Sequence, residues 1–429
     1  MSRGAEHGTG RTEIEGQFRI FPAKGKNWGG QGIANFEPTC KSLRQGPGTG
    51  AAPHPDDVEN PVTKSLLRRS TAVAALGTTA AVVLTACGGG TADEPAALDP
   101  DADLTQQTIV VSNWESYMPE DIAELVKDET GATVKVTHHA TNEDLVAKVT
   151  AGGGDGLDVI FGTAPFLEAF AKEGLLEPID TSLLENWGEL DALATDGAVI
   201  DGETYWAPYT WGTTGICYRE DLVDEAPNSW YDLLTPADEY KGKVTMMGTD
   251  RWAVLPAQKA LGFSANTTDE AEMAEVKDLM LQAKPNLLAY DDNTFYERLI
   301  SGEAVMVEAW DGWCNYGTAE NDNIKFVVPE EGSDLFVDGM AILKSSKSKE
   351  AAYAFIDTVL KPENHAWAAE NILYNVPNQA ALDLLPDELL KTYDVLGERR
   401  PEMLEGEALT DVGDAASLYT KIITEVTAS

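Results

Sequence analysis

The chain has 429 residues and is strongly acidic, with 72 Asp and Glu against 31 Lys and Arg and a formal net charge of −41. This charge argues against binding to nucleic acid and against adhesion to anionic lipid or wall polymer, because like charges repel. The length suits two domains of ordinary size, each able to bury a core. Charge this diffuse is typical of a solvated surface and defines no site.

Residues 1–61 are rich in Gly, Pro and charge and show no sustained apolar period. Val62 then opens the stretch Val62-Thr63-Lys64-Ser65, which is typical of an export signal if Val62 is read as the initiator. We therefore interpret residues 1–61 as a wrongly assigned translation start or a disordered segment and exclude them from the prediction of the fold.

Residues 62–86 have the parts of an export signal. Lys64, Arg68 and Arg69 supply a positive start, and the alanine-rich run that follows is too short to span a bilayer. Small residues precede Cys87, so the segment resembles a bacterial lipoprotein signal, in which that thiol is lipidated and becomes the mature N terminus. A buried helix of the folded protein is the alternative. We expect a protein anchored by lipid to the outer face of the cytoplasmic membrane, or a periplasmic one.

Residues 87–107 are small, acidic and Pro-containing, and they predict a flexible tether. A β-α-β-α-β-α order follows, with strands near 108–111, 134–136 and 157–161 and helices that begin near 119, cover 145–149 and run to 174. Short links in this order predict a parallel sheet flanked by helices. Ligands bind beyond the carboxyl ends of such strands, which places Asn113–Tyr117 at the rim of a site.

The second half of the chain predicts further strands at 243–247, 304–309 and 336–342 and helices at 269–283 and 349–360. Residues 205–218 are aromatic and rich in Thr and Gly. Of the four cysteines, Cys40 lies in residues 1–61 and Cys87 follows the signal, so Cys217 and Cys314 remain in the predicted folded part. Either a disulfide between them or two buried thiols fits the sequence.

Motifs of enzymes are absent from the sequence. There is no Gly-x-Ser-x-Gly, no P-loop and no Gly-x-Gly-x-x-Gly after a strand. The five His residues and the Cys residues show no metal-ligand spacing. We therefore predict no enzyme, no metal and no cofactor, with an extracellular enzyme or an adhesion protein on a two-lobe scaffold as the distant alternative.

Four segments together resemble the spermidine/putrescine-binding proteins of bacterial ABC importers, which are type II periplasmic binding proteins. They keep the family's order, and they are Asn113-Trp114-Glu115-Ser116-Tyr117, Pro208-Tyr209-Thr210-Trp211-Gly212-Thr213-Thr214, Val337-Asp338-Gly339-Met340-Ala341-Ile342 and Asp411-Val412-Gly413. The likeness covers about residues 108–425.

The resemblance implies an α/β fold of two lobes, each a mostly parallel sheet flanked by helices, joined by a hinge. The lobe boundaries we expect are 108–212 with 337–383 for the first lobe and 213–336 with 384–429 for the second. A ligand would bind where the lobes close at the hinge.

The resemblance also implies an aromatic box with a carboxylate for the amine. The matching residues are Trp114, Tyr117, Trp310 and Tyr374 for the aromatic walls and Asp338 for the amine. Aromatic faces attract ammonium groups, and a carboxylate forms charge-assisted bonds with them. Further candidates for ligand contacts are Glu115, Thr163, Asp250, Trp252, Asp311 and Phe336.

Departures from the family pattern bear on the ligand. Pro165 stands where the family has a tyrosine, Phe336 replaces a second tryptophan, and Leu409 replaces a polar residue. The two acids for the far amine of spermidine are missing, and Asp250 aligns only after a shift of one residue. Putrescine therefore fits better than spermidine.

The alternative ligand is another amine or an amino-acid-like solute whose carboxylate could meet Arg251. The partners we expect are a small cationic amine and the permease subunits of an importer. We expect no nucleic acid and a monomer, with the membrane reached only through the lipid anchor.

Mass spectrometry of the native protein tests the interpretation of residues 1–61 and Cys87. We expect a mature N terminus at a lipidated Cys87 and no peptide from residues 1–61, because the signal would begin at Val62. Recovery of peptides from residues 1–61 would contradict the interpretation of that stretch.

Overall fold

A computed structural model describes most of the chain after residue 97, and the described residues are 98–99, 102–393, 396 and 401–429. Residues 1–61, the predicted signal 62–86 and Cys87 lie outside the described residues, as does most of the predicted tether. In the part of the chain that is described, no helix has the length and apolarity needed to cross a membrane.

The strands lie in two principal sheets and a small hairpin. In chain order they are β1 (Thr108–Asn113), β2 (Thr133–His138), β3 (Val159–Thr163), β4 (Val199–Ile200), β5 (Glu203–Thr204), β6 (Trp206–Gly212), β7 (Thr214–Arg219), β8 (Val244–Met246), β9 (Ala289–Tyr290), β10 (Met306–Trp310), β11 (Ile324–Val327), β12 (Asp334–Ile342) and β13 (Glu407–Ala408).

The α-helices pack on these sheets. In chain order they are α1 (Ile122–Thr130), α2 (Asn142–Gly152), α3 (Ala164–Lys172), α4 (Ala192–Thr195), α5 (Tyr231–Leu234), α6 (Asp250–Ala260), α7 (Glu270–Ala283), α8 (Phe295–Ser301), α9 (Asp311–Glu320), α10 (Lys349–Leu360), α11 (Pro362–Asn371), α12 (Gln379–Leu382), α13 (Asp387–Thr392), α14 (Pro401–Leu404) and α15 (Ala416–Ala428).

The first sheet has the strand order β13-β12-β3-β1-β2, and β6 pairs with β12. Strand β1 runs parallel to β2 and β3, as the β-α-β-α-β-α order predicts. Strand β12 runs antiparallel to β3 and β6, so the sheet is mixed. Apolar side chains cover both faces, with Val111, Phe161 and Met340 in one core and Ile160, Trp206 and Ala341 in the other.

The second sheet has the order β11-β7-β10-β8-β9 and is also mixed, because β7 runs antiparallel to β10 and β11. Only Thr213 separates β6 from β7, yet the two strands belong to different sheets. The chain passes between the sheets again at 328–333, before β12. These two passages bring β6, β7, β12 and the start of α9 together.

Local sequence signals explain the ends and faces of several helices. Helix α1 stops at Gly131, whose φ of 82° suits glycine because a left-handed backbone crowds a Cβ atom. Helix α7 begins where Asp269 accepts hydrogen bonds from the backbone N–H groups of Ala271 and Glu272. Its apolar face is buried as the helical period predicts.

A disulfide joins Cys217 on β7 to Cys314 on α9, with their Cα atoms 5.7 Å apart. The sequence left open whether these thiols are bonded or free, because it gives no distance between them. Both residues are completely buried, and 97 positions separate them in the chain. The bond therefore fixes the helix that begins at Asp311 to the second sheet.

The double substitution Cys217→Ala and Cys314→Ala is expected to lower the free energy of unfolding by about 2–4 kcal/mol, because the crosslink restricts the unfolded chain. Denaturant unfolding of the oxidised protein and the variant measures this difference. Non-reducing peptide mapping should recover both cysteines in one crosslinked species. Equal unfolding midpoints would contradict a stabilising role.

Candidate functional site

The carboxylate of Asp338 lies in the middle of β12, in a pocket of hydroxyl groups. The hydroxyl of Tyr117 donates to Oδ2 at 2.7 Å, and that of Thr163 donates to Oδ1 at 2.7 Å. Thr210 lies 2.9 Å from the Tyr117 hydroxyl. Asp338 keeps 7% of its surface exposed, so it borders the surface although its oxygens are held by the protein.

Strand pairing explains why hydroxyl groups surround this acid. Asp338 pairs with Thr163 on β3 and with Thr210 on β6, and directly paired residues place their side chains close together. The register between β12 and β6 shifts between Asp338 and Gly339, as at a β-bulge, a feature that re-aims side chains.

Burial dominates the electrostatics of this group. It raises the pKa of Asp338 above its ordinary value, and hydrogen bonds from Tyr117, Thr163 and Thr210 partly offset the rise. Burial and the negative charge of Asp338 raise the pKa of Tyr117 well above its ordinary value. The hydrogen bonds that described residues make to Asp338 all come from neutral hydroxyls. A cation would remove this imbalance.

Aromatic rings adjoin the carboxylate on the side of the first sheet. The ring of Trp114 meets that of Tyr117 edge-on at 5.2 Å, and the rings of Tyr117 and Tyr374 are 6.3 Å apart. Phe336 lies 5.9 Å from Tyr374. Trp114 and Tyr117 are partly exposed, whereas Tyr374 and Phe336 are buried.

The loop Trp114–Tyr117 is held by Asn113, at the end of β1. The side-chain oxygen of Asn113 accepts from the backbone N–H of Trp114 at 2.8 Å, a local turn that asparagine favours. The hydroxyl of Tyr209 donates to the carbonyl of Tyr117 at 2.9 Å. Ser116 takes a left-handed φ of 60°, which turns the chain and directs Tyr117 toward Asp338.

A second aromatic group begins at Trp310, where β10 ends and α9 starts. Trp252 meets Trp310 edge-on at 5.4 Å, and Trp313 lies 6.5 Å away. Trp310 is partly exposed. It packs against the core of the first sheet, and on the side of the second sheet it packs against the apolar residues around Cys314 and around Trp252. It therefore lies where the two sheets meet.

Two glycines, Gly312 and Gly212, allow the start of α9 to pack closely against Tyr374 and β6. A Cβ atom on Gly312 would lie 2.6 Å from the ring of Tyr374, and one on Gly212 would overlap Oδ1 of Asp311. The backbone N–H of Trp313 donates to the Tyr374 hydroxyl. The first turn of α9 therefore packs directly on the segment that carries Tyr374.

The structure brings the five main candidates together around the passages between the sheets, in one group on Trp114, Tyr117, Tyr374 and Asp338 and another on Trp310. Among the further candidates, Thr163 and Phe336 contact the first group. Trp252 and Asp311 adjoin Trp310. Their roles in binding stay predictions.

Two further candidates are placed differently. Glu115 is exposed on the loop beside Trp114. Helix α6 begins at Asp250, whose side chain lies outside the described atoms. Among the described residues, no hydrogen bond, ion pair or ring contact joins the side chain of Glu115 to Asp338.

Sequence reasoning missed three polar residues of this region. Thr210 adjoins Asp338 and Tyr117, and Asp334 accepts from the Thr214 backbone N–H at 2.8 Å and from the Trp252 indole N–H at 2.9 Å. Glu308 is completely buried on β10. An acid inside an apolar strand is a usable signal, and Glu308 in Met306–Trp310 carries it.

Comparisons with known proteins identify the family of this chain. The family of bacterial extracellular solute-binding proteins matches residues 121–392. A spermidine/putrescine-binding periplasmic protein of Escherichia coli K12 is 30% identical over 313 residues, which are 73% of this chain and 89% of that protein. A putrescine-binding periplasmic protein of the same organism is 30% identical over 302 residues, with 66% and 81% covered.

A solved structure extends the likeness to the fold. The spermidine/putrescine ABC transporter substrate-binding protein of Streptococcus pneumoniae superposes with a TM-score of 0.63 at 28% identity, over 75% of this chain and 99% of that one. That fold has two lobes, as the two sheets described above indicate. This chain belongs to the family of bacterial extracellular solute-binding proteins.

Proposed function

We propose that this protein captures a small cationic amine, putrescine in preference to spermidine, for delivery to the permease of an ABC importer. The observation that carries the proposal is the carboxyl of Asp338, buried among neutral hydroxyls with aromatic rings beside it. A buried carboxylate is costly unless a cation pairs with it, and an ammonium group would supply the missing charge.

The rings suit the rest of such a ligand. Trp114, Tyr117, Trp310 and Tyr374 present faces and edges that can enclose a methylene chain and attract its ammonium ends. Each contact with a cation contributes on the order of 0.5–2 kcal/mol when water is excluded. Two rings are partly exposed: Trp114 directly follows β1 of the first sheet, and Trp310 ends β10 of the second. A ligand between them would bridge both lobes.

Capture in this proposal is a shift between an open and a closed form, and it involves no bond making or breaking. A ligand that contacts both lobes only when they are closed stabilises the closed form by the energy of the added contacts. The passages at Thr213 and at 328–333 are the segments about which such a movement would occur. A permease could then recognise the closed form.

The relatives support the class of ligand. Their names include spermidine/putrescine-binding and putrescine-binding proteins. The sequence lacks the two acids expected for the far amine of spermidine, which favours the shorter diamine. We also propose that Cys87 anchors the protein by lipid outside the cytoplasmic membrane, as the signal at 62–86 indicates.

The alternative of an amino-acid-like ligand depended on Arg251. Its guanidinium donates to the carbonyls of Thr410 and Ala265 at 2.9 and 3.1 Å and to Oδ1 of Asn266 at 2.7 Å. It also lies 5.0 Å from the ring centre of Tyr419. These contacts use Nη1 and both protons of Nη2, and only the buried Nε has no partner among the described residues. The paired N–H bonds that would hold a carboxylate are therefore not both available, and the geometry favours a ligand without a carboxylate.

A ligand panel followed by thermal unfolding tests the proposed function. Putrescine should raise the melting temperature most, spermidine less, and glutamate and arginine should leave it unchanged. A ligand at about 100 times its Kd adds roughly 2.7 kcal/mol of stability, which is readily measured. Stabilisation by the amino acids and not by the polyamines would overturn the proposal.

The substitution Asp338→Asn is expected to weaken putrescine binding by about 2–5 kcal/mol, because it removes the charge that pairs with a desolvated amine. Binding to the native protein should also weaken as the pH falls, because burial raises the pKa of Asp338 and protonation removes its charge. Isothermal titration calorimetry measures both effects. Glu330→Gln, which changes an exposed acid, is the matched control and should bind normally. Equal affinities of the native protein and Asp338→Asn would contradict the assigned role.

A further inference from the structure

A second carboxyl, that of Asp311, lies close to Phe336 and Tyr374 in the same group of rings. It is the first residue of α9, directly after Trp310, and it is completely buried. The Thr213 backbone N–H lies 3.3 Å from Oδ1, whereas Oδ2 has no hydrogen-bond partner among the described residues. A buried carboxyl oxygen without a partner has lost its hydration without compensation.

The surroundings place this carboxyl against the walls of the proposed amine site. A Cβ atom on Gly212 would meet both Oδ1 of Asp311 and the ring of Phe336, so these two groups lie against one backbone position. Phe336 in turn packs 5.9 Å from Tyr374, whose ring contacts the start of α9 at Gly312. Asp311 therefore adjoins the ring group at Phe336 and Tyr374.

Tyr374 connects Asp311 with Asp338. Burial raises the pKa of Tyr374 well above its ordinary value, and the charges of Asp311 and Asp338 both contribute to the rise. The phenol therefore lies within electrostatic reach of both carboxyls. A short chain with an ammonium group at each end matches two acids that flank one ring.

We propose that Asp311 receives the second amine of a diamine whose first amine pairs with Asp338, and that binding there releases a proton. This inference rests on the proposed function and concerns the same site. In the step, the O–H bond of the Asp311 carboxyl breaks and its proton passes to the solvent. The resulting carboxylate pairs with the ammonium group, which keeps its own protons.

The charge state of the empty site supports proton release. Burial raises the pKa of Asp311 to about 8; backbone N–H groups at Gly312 and Thr213 oppose the rise, and Asp334 adds to it. Asp334 on β12 and Tyr374 are titratable groups that interact with Asp311, and the passage from β6 to β7 brings Gly212 and Thr213 against it. Asp334 is held by Thr214 and Trp252, and Tyr374 stays neutral.

The sign of the pH dependence follows from this environment. Below pH 8 the carboxyl of the empty site is mostly protonated, and a bound ammonium group favours its ionised form. Diamine affinity should therefore rise close to tenfold per pH unit between pH 6 and 7 and level off above about 8, beyond any contribution of Asp338.

Calorimetry of the full chain at pH 7, in buffers of different ionisation enthalpy, counts the protons released by putrescine and by 1-butylamine. Putrescine should release about 0.9 proton more than the monoamine, the protonated fraction for a pKa near 8. Asp311→Asn should abolish this difference and lower putrescine affinity about 30-fold, while butylamine affinity stays unchanged. Glu308→Gln, which alters another buried acid two residues before Trp310, should keep the difference.

The outcomes separate the two proposals. If neither amine binds the native protein, the proposed function and this inference both fail. If putrescine binds but releases no more protons than butylamine, only the assignment of Asp311 is overturned, and this comparison needs no variant. An Asp311→Asn protein with a native melting curve and an undiminished proton difference also overturns it.

Discussion

The region between the sheets depends on one constraint, which is the burial of negative charge without a positive partner. Asp338 receives hydrogen bonds from Tyr117 and Thr163, both neutral donors, and burial keeps its pKa raised. Neutral hydroxyls orient a carboxylate but leave its charge uncompensated. The amine proposed above would supply the missing charge, and the rings of Tyr117 and Tyr374 lie near the carboxylate.

The topology places this charge beside a passage between the two sheets. Strand β12 lies between β3 and β6, so Asp338 has a threonine on each side, and the strand follows directly on a passage from the second sheet. Strand β10 ends at Trp310 on the other side of that passage. The aromatic group at Asp338 and the one at Trp310 thus come from different sheets. The strands that enter or leave the two passages, β6, β7, β11 and β12, are also those that form the antiparallel pairs in each sheet.

Much of the fold could be predicted from the sequence, because its signals are periodic. Helix α10 was predicted to its observed ends from apolar residues at helical spacing, and β1 to β3 from short β-branched runs between helices. Strands β6 and β7 were not predicted. Every residue of β6 is buried, so no alternation of polar and apolar residues marks it as a strand.

The sequence predicted the site residues that lie in recognisable motifs and missed those whose role depends on contacts distant in the chain. Asp338 and the rings follow motifs that the family resemblance covers, whereas Asp334 is one acid among 72 and carries no local signal. Its role as acceptor for Thr214 and Trp252 depends on contacts across 120 and 82 positions. The pairing of Cys217 with Cys314 likewise needed a distance that only the folded chain supplies.

That pairing has a consequence for maturation. The bond attaches the first strand after Thr213 to the helix whose start carries Trp310 and Asp311, so one side of the proposed binding surface is held covalently. Disulfides persist in oxidising compartments and are rare where thiols are kept reduced. The geometry of this side therefore depends on an oxidising compartment, in which the bond between the two thiols persists.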